Sequence, residues 1–213
     1  DIWAPALENL TDLCHLDVKG CSLQSTDMVH LAAALSQMPN LVHLNLSENQ
    51  GLGGNAETWA TSLLRIVQLR KLDLSECSTG IGDVKYLGEL IGSMGNLVDC
   101  NFSSNPGVGY WYMMPFGTTG VRIGVENSPL TSHDMAAMFQ SLCNRRDVLS
   151  LTFDDIKGLG GFAHLWAPPL QKLTRLCHLE LINCGLQGAD VQHIAASLSQ
   201  MPNLAELYLS WNS

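Results

Sequence analysis

A phrase of leucine, two residues, leucine, one residue, leucine, two residues and then Asn or Cys recurs along this chain of 213 residues. It begins at Leu13, Leu41, Leu69 and Leu97, weakens at Gly120 and Val148, and returns at Leu176 and Leu204. Successive starts lie 28, 28, 28, 23, 28, 28 and 28 residues apart. A fixed period of this length means one supersecondary unit stacked on copies of itself, since a single unit cannot bury its apolar face alone. The spacing therefore predicts one continuous domain over residues 1–213 whose core runs the length of the stack.

Each unit has a physical reading. Leu16 and Val18 alternate with Asp17, the period of a short strand with one buried face. Strands are expected near 13–18, 41–46, 69–74, 97–102, 120–125, 148–153, 176–181 and 204–209. Cys21, Asn49, Cys77, Asn105, Cys184 and Asn212 fall where the chain leaves the strand. There a side chain with a donor satisfies carbonyls of the turning backbone, Asn better than a thiol. A helix follows: Met28, Leu31, Ala32, Leu35 and Met38 form one apolar stripe. Ser25, Thr26 or Asp27 is placed to cap its start, and Pro39 ends it. The stripe returns as Val84, Leu87, Ile91 and Met94, and as Val191, Ile194, Ala195, Leu198 and Met201. The expected fold class is α/β: a horseshoe solenoid of about eight repeats, with parallel strands on the concave face and helices on the convex face.

The phrase from Cys21-Ser22-Leu23 through Asp27, Leu31-Ala32 and Pro39-Asn40-Leu41 to Leu44-Asn45-Leu46-Ser47-Glu48-Asn49 resembles the ribonuclease-inhibitor-like class of leucine-rich repeats. Within that class it looks most like the C-terminal sensor arrays of NOD-like receptors. The resemblance runs over essentially the whole chain and implies a protein-interaction or ligand-sensing surface without catalytic residues.

A longer period lies over the short one. Residues 3–50 align with 166–213 at one offset, with 28 of 48 positions identical, including Trp3-Ala4-Pro5 and Trp166-Ala167-Pro168. This predicts duplication of a six-repeat block. The absence of a polar capping unit after Leu204 to Asn212 predicts a fragment of a longer array, or ends that associate with another copy.

Charge narrows the partner classes. With 11 Lys and Arg against 20 Asp and Glu, the net charge of −9 argues against a nucleic-acid backbone as ligand. No apolar run approaches the roughly 20 residues of a membrane span, so no membrane partner is expected. The seven cysteines never occupy the same slot on adjacent repeats, which offers no ladder of disulfides. Buried thiols fit a reducing compartment, and a cytoplasmic protein is expected. Cys14, His15 and Cys21 lie at opposite ends of a strand and its turn, too far apart for a tetrahedral metal site. Gly51-Leu52-Gly53-Gly54 lacks the lysine of a phosphate loop. No Ser, His and Asp are set apart as a unique constellation, so no enzyme activity, metal or cofactor is expected. Asn9-Leu10-Thr11, Asn45-Leu46-Ser47 and Asn101-Phe102-Ser103 match the glycosylation pattern at about its chance frequency, two of them inside strands.

The register names a candidate binding face. Its outward residues are Asp17, His43, Glu48, Lys71, Asp73, Glu76, Asp99, Arg122, Glu126, Asp154, Asp155, His178, Glu180, Glu206, Tyr208 and Trp211, with His15, Lys19, Asn45, Asn101, Ser150 and Thr152 among them. Ten acids against three Lys or Arg make this either a solvated rim or a trough that steers a basic protein. Between Asn105 and Gly120 the helical period vanishes, and a loop is expected in place of the convex helix. Its Tyr110, Trp111, Tyr112 and Phe116 either fill the gap left by the helix or form an exposed contact. A second irregular turn is expected around His164 to Pro169, with a shortened helix starting at the prolines.

Overall fold

The computed structural model describes residues 10–212. Trp3-Ala4-Pro5 and Asn9, which enter the duplication and one glycosylation match, lie outside them. The 28-residue period becomes strand register. β1 (His15–Asp17), β2 (His43–Asn45), β3 (Lys71–Asp73) and β4 (Asp99–Asn101) run parallel, with Leu16 beside Leu44, Leu44 beside Leu72, and Leu72 beside Cys100. Each strand is followed by a helix until β4: α1 (Ser25–Leu35), α2 (Ala56–Leu63) and α3 (Val84–Ser93). The second run pairs β6 (Gly120–Glu126), β7 (Val148–Asp154), β8 (His178–Ile182) and β9 (Glu206–Tyr208) in parallel, with α4 (Ser132–Leu142), α5 (Ala163–Leu170) and α6 (Gly188–Leu198) between them. Consecutive helices pack on one another along one face of the sheet.

The short repeat departs from expectation. Tyr110 to Phe116 is a strand, β5, and not a loop; it pairs antiparallel with β4 on one side and β6 on the other. The sheet among the described residues therefore has nine strands in chain order, where eight parallel ones were expected. Gly107 and Gly109 make the turn into β5: at Gly109, φ is +68°, and a Cβ would stand 2.6 Å from the Glu126 carbonyl oxygen. No helix lies between β4 and β6, so α3 packs directly against α4. From β3 to β6 the sheet advances three strand spacings while the helix layer advances one.

β5 also resolves the two readings of its aromatic residues by alternation. Trp111 and Met113 point into the core; Trp111 is fully buried and stacks on Phe102 at 5.0 Å. Trp111 is thus not a surface contact, because it fills the volume a helix would occupy. Tyr110, Tyr112, Met114 and Phe116 face the other way, in register with Glu126, Gly124, Arg122 and Gly120.

The turn residues act as expected. Asn49 accepts from Leu23 N–H at 2.9 Å and donates to the carbonyls of Val18 (3.0 Å) and Leu46 (2.8 Å). Asn105 and Asn212 repeat this pattern. The Cys77 thiol substitutes with one bond to Leu46 O at 3.2 Å; burial pushes it up to about 11.

Helix starts follow a different rule from the one expected. Neither Ser25 nor Thr26 caps α1; Gln24 precedes it, and the third helical residue, Asp27, accepts from Gln24 N–H at 2.9 Å. At Asp190 the same position does more, as does Asp83, the third residue of a 3-10 turn (Ile81–Asp83) that leads into α3. The fully enclosed Asp190 carboxylate accepts from Gln187 N–H (2.8 Å) at its own helix, and from Gly161 (2.7 Å) and Ala163 (3.0 Å) at the helix before. Asp83 holds Gly80, Gly54 and Ala56 in the same way. Burial pushes the Asp190 carboxyl up, but the three amide bonds outweigh it and hold it below its ordinary 3.8. Folding therefore favours the ionised form, and its contribution is complete above the unfolded value and lost as pH falls through the lowered one. Asp190→Ala is expected to cost about 2 kcal/mol above about pH 5. In thermal melts the gap between wild type and variant should close as pH falls below 3.8; a gap independent of pH would sink this account.

α5 does not start at its prolines. It runs through Pro168 and Pro169 in its last turn, where two backbone donors are missing, and it stops after 8 residues. In α6, Val191 and Ala195 are exposed, because no described helix follows to cover that side of the stripe.

Candidate interaction surface

Residues that alternate with the buried leucines stand on the open face of the sheet, opposite the helices. Parallel register lines them up in rows across strands about 4.8 Å apart. One row reads Asp17, Asn45, Asp73, Asn101. Acid alternates with amide, so like charges are never adjacent: Asn45 Nδ2 donates to Asp17 at 3.0 Å and Asn101 Nδ2 to Asp73 at 3.4 Å. The remaining oxygens accept from backbone two residues on, at Lys19, Ser47, Ser75 and Ser103. The Lys19 amide bond, with help from Asn45, holds the Asp17 carboxyl below its ordinary range. At the first in-strand match to the glycosylation pattern the Ser47 hydroxyl also donates to Asn45 Oδ1, at 2.7 Å, so this Ser completes a local turn.

The neighbouring row holds His15, His43, Lys71 and Asp99. The two imidazoles meet edge-on at 5.4 Å, and Lys71 pairs with Asp99 at 3.3 Å. Together the rows enclose a shallow pocket of ≈ 240 Å³ over β1 to β4, walled by Asp17, His43, Lys71, Asp73 and Asp99.

A second cluster sits over β5 to β9. Gly124 has no side chain, and the Tyr112 ring lies over it; a Cβ there would stand 2.1 Å from Tyr112 Cζ. The Tyr112 hydroxyl donates to Glu126 at 3.0 Å, and burial with the Glu126 charge pushes it up to about 12. Arg122 stacks on the Phe116 ring at 4.7 Å and donates from Nε to Ser150 at 3.0 Å. His178, 7% exposed, lies between the carboxylates of Glu206 (2.7 Å) and Glu180 (2.5 Å), with the Tyr208 ring 5.4 Å away. Thr152, between Gly124 and Glu180 in register, has a buried hydroxyl with no partner among the described residues.

The expected site residues thus divide. Asp17, His43, Lys71, Asp73 and Asp99 belong to the pocket. Arg122, Glu126, His178, Glu180, Glu206 and Tyr208 join Tyr112 and Phe116 in the aromatic cluster. Asp154 lies in β7 beside Glu126. Glu48, Glu76, Asp155 and Trp211 stand on the rim where the chain leaves the strand, each with φ between 55° and 63°. Lys19 pairs with Glu48 at 2.8 Å and Lys157 with Asp155 at 3.1 Å. With Lys71–Asp99, three of the ten acids pair with a Lys among the described residues, two more flank His178, and five have neither. Met114 and the β5 row went unrecognised as part of this face; their signal was the two-residue alternation in Tyr110 to Phe116.

Among the described residues, no group of three or more His, Cys, Asp or Glu could hold a metal ion, and no helix is long and apolar enough to cross a membrane. No family model matches the chain. Among solved structures it is similar to internalin C2 of Listeria monocytogenes, at 16% identity over 98% of this chain and 75% of that one, with a TM-score of 0.41. It is also similar to actin-binding site 2 of leiomodin-1 (10% identity, 94% and 89% covered, TM-score 0.41) and to the tropomodulin C-terminal domain of Caenorhabditis elegans (12%, 92% and 92%, 0.40).

Proposed function

We propose that this chain is a non-catalytic recognition module that binds a protein partner, basic where it touches, across the open face of the sheet. The observation that carries the reading is charge placement. Half of the 20 acids in the chain lie on this face, and among the described residues only three of them pair with a Lys. Such a surface steers a positive partner at long range, while the aromatic cluster supplies the desolvated contact area that anchors it.

In this reading the strands form the concave side of a leucine-rich-repeat horseshoe. The likeness of the repeat phrase to NOD-like receptor arrays supports a sensing role in a cytosolic innate-immune receptor. Seven unpaired cysteines, with Cys77, Cys100 and Cys184 buried, support a cytoplasmic setting.

The test compares two pairs of neutralised acids, using fluorescence anisotropy with an oligolysine peptide. Glu76→Gln with Asp154→Asn removes two unmatched charges from the open face. Glu57→Gln with Glu89→Gln removes two from the helices. The first pair is expected to weaken binding by about tenfold at low salt, with a shallower salt dependence, and the second by less than about twofold. Equal losses from both pairs would mean that net charge alone attracts the peptide, and the face would lose its role.

A further inference from the structure

The helix side of the molecule carries the opposite charge at one place. A pocket of ≈ 390 Å³ opens beside the C-terminal ends of α4 and α5, and Arg146, Lys172 and Arg175 line it. Of the eight other Lys and Arg in the chain, Lys19, Lys71, Arg145 and Lys157 pair with carboxylates among the described residues, and Arg122 stacks on Phe116. What sets this place apart is that three unpaired cations line one pocket. Among the described residues no carboxylate stands within ion-pair distance of Arg146, Lys172 or Arg175. Asp147, on the same segment, is already occupied: Arg145 takes both its oxygens, at 2.9 and 2.6 Å.

Capping of the helix ends does not account for these charges. The Phe139 carbonyl accepts from Cys143, that of Ser141 from Asn144 and that of Leu142 from Arg145. At the end of α5, Pro169 accepts from Lys172 N–H and Leu170 from Leu173. The side chains of Arg146 and Lys172 are therefore spent on neither carbonyls nor carboxylates. Arg175 spends one donor, from Nη1 to the Arg146 carbonyl at 3.0 Å, which orients its fork beside the pocket. Lys172 is close enough to Cys143, a half-buried wall of the same pocket, for its charge to oppose the upward push that burial gives the thiol.

We propose that this pocket is an anion site that takes a phosphate-bearing ligand. Three converging cations and the Thr174 hydroxyl supply donors to several phosphate oxygens at once, and like charges that repel one another in the empty pocket are neutralised together. The volume falls in the range of small-molecule sites. The site is independent of the open face: it lies on other elements and selects the opposite charge.

Two probes separate the sources of phosphate. Inositol hexakisphosphate is titrated calorimetrically at about 0.15 M salt, and vesicles bearing phosphatidylinositol 4-phosphate are tested by flotation. One saturable site is expected with at least one probe, which identifies a free ester or a lipid headgroup. Arg146→Gln with Lys172→Gln should weaken it by at least about tenfold, while Arg65→Gln with Arg70→Gln, also exposed, should leave it unchanged. Because Cys143 lines the pocket, its alkylation in the wild-type protein should slow when the probe is bound, read by mass spectrometry of the Cys143 peptide. Saturable binding to neither probe, equal weakening by both variant pairs, or unaltered alkylation of Cys143 under saturating probe would each overturn the proposal.

Discussion

Arg145→Met is expected to lower the melting temperature by about 10 °C. The guanidinium is fully buried and uses all five of its donors: two on Asp147, and three on the carbonyls of Ile91 (3.0 Å), Met94 (3.0 Å) and Leu97 (2.7 Å). Its place in the repeat explains why. Asn40, Gln68, Asn96, Arg175 and Asn203 each donate one bond to a carbonyl of the preceding repeat, at Thr11, Met38, Val67, Arg146 and Thr174. The equivalent position in the repeat after the irregular one is Asp147, which has nothing to donate. Arg145 supplies the bonds instead and reaches across the missing helix to the end of α3. Removing it strands the carbonyls of Ile91 and Leu97 and one carboxylate, and leaves Met94 with only the Leu97 amide, a loss of about 3–5 kcal/mol. Arg145→Lys should fall nearly as far, because a single ammonium cannot reproduce the fork. A drop of about 2 °C in scanning calorimetry would mean that water replaces the guanidinium without penalty.

Gly92→Ala should destabilise the protein by about 2 kcal/mol, although the same exchange inside an ordinary helix gains nearly 1 kcal/mol. The reversal comes from the direct packing of α3 on α4. A Cβ at Gly92 would stand 2.3 Å from the Ser141 carbonyl oxygen and 2.7 Å from its carbon, and this is backbone that cannot rotate away. Gly88, one turn earlier on the same helix, faces Met138, with 3.4 Å to its Cα, which is contact without overlap. Gly88→Ala should therefore be neutral or slightly stabilising. The two variants carry the same chemical change on one helix, so the difference between their melting temperatures isolates the close approach. Equal shifts would show that α3 and α4 have room to part.

The register was legible because a constant interval of 28 leaves one way to stack Leu16 on Leu44 on Leu72. The open face followed directly, since the residues between those leucines must point away from them. β5 was hidden by its punctuation. Pro106, Gly107, Gly109, Pro115 and Gly117 mark turns in any local reading, while the alternation Trp111, Met113 against Tyr110, Tyr112, Met114 carries the strand. Only pairing with β4 and β6 decides between them. Gly53, weighed only as part of a phosphate loop, and Gly160 have a packing role that no local pattern shows. They let the next repeat's backbone pass at Ser78 and Gly185, where Cβ atoms would stand 2.0 and 1.8 Å from carbonyl oxygens. Beside them, Asp83 and Asp190 tie pairs of helices together. The role of Arg145 could not be read, because its partners lie 48 to 54 residues away across an interval that breaks the period.

The packing at the short repeat has a consequence for shape. An ordinary repeat is a wedge: about 4.8 Å thick at the strand and 8–10 Å thick at the helix, so a run of them bends toward the strands. Between α3 and α4 the wedge points the other way, with three strand thicknesses against one helix thickness that the glycines make thinner still. Strands β4 to β6 therefore oppose the sense in which ordinary repeats bend, and Tyr112, Met114 and Phe116 lie on that stretch of the open face. A helix inserted after β4 would restore the ordinary match of helix to strand at this point of the stack.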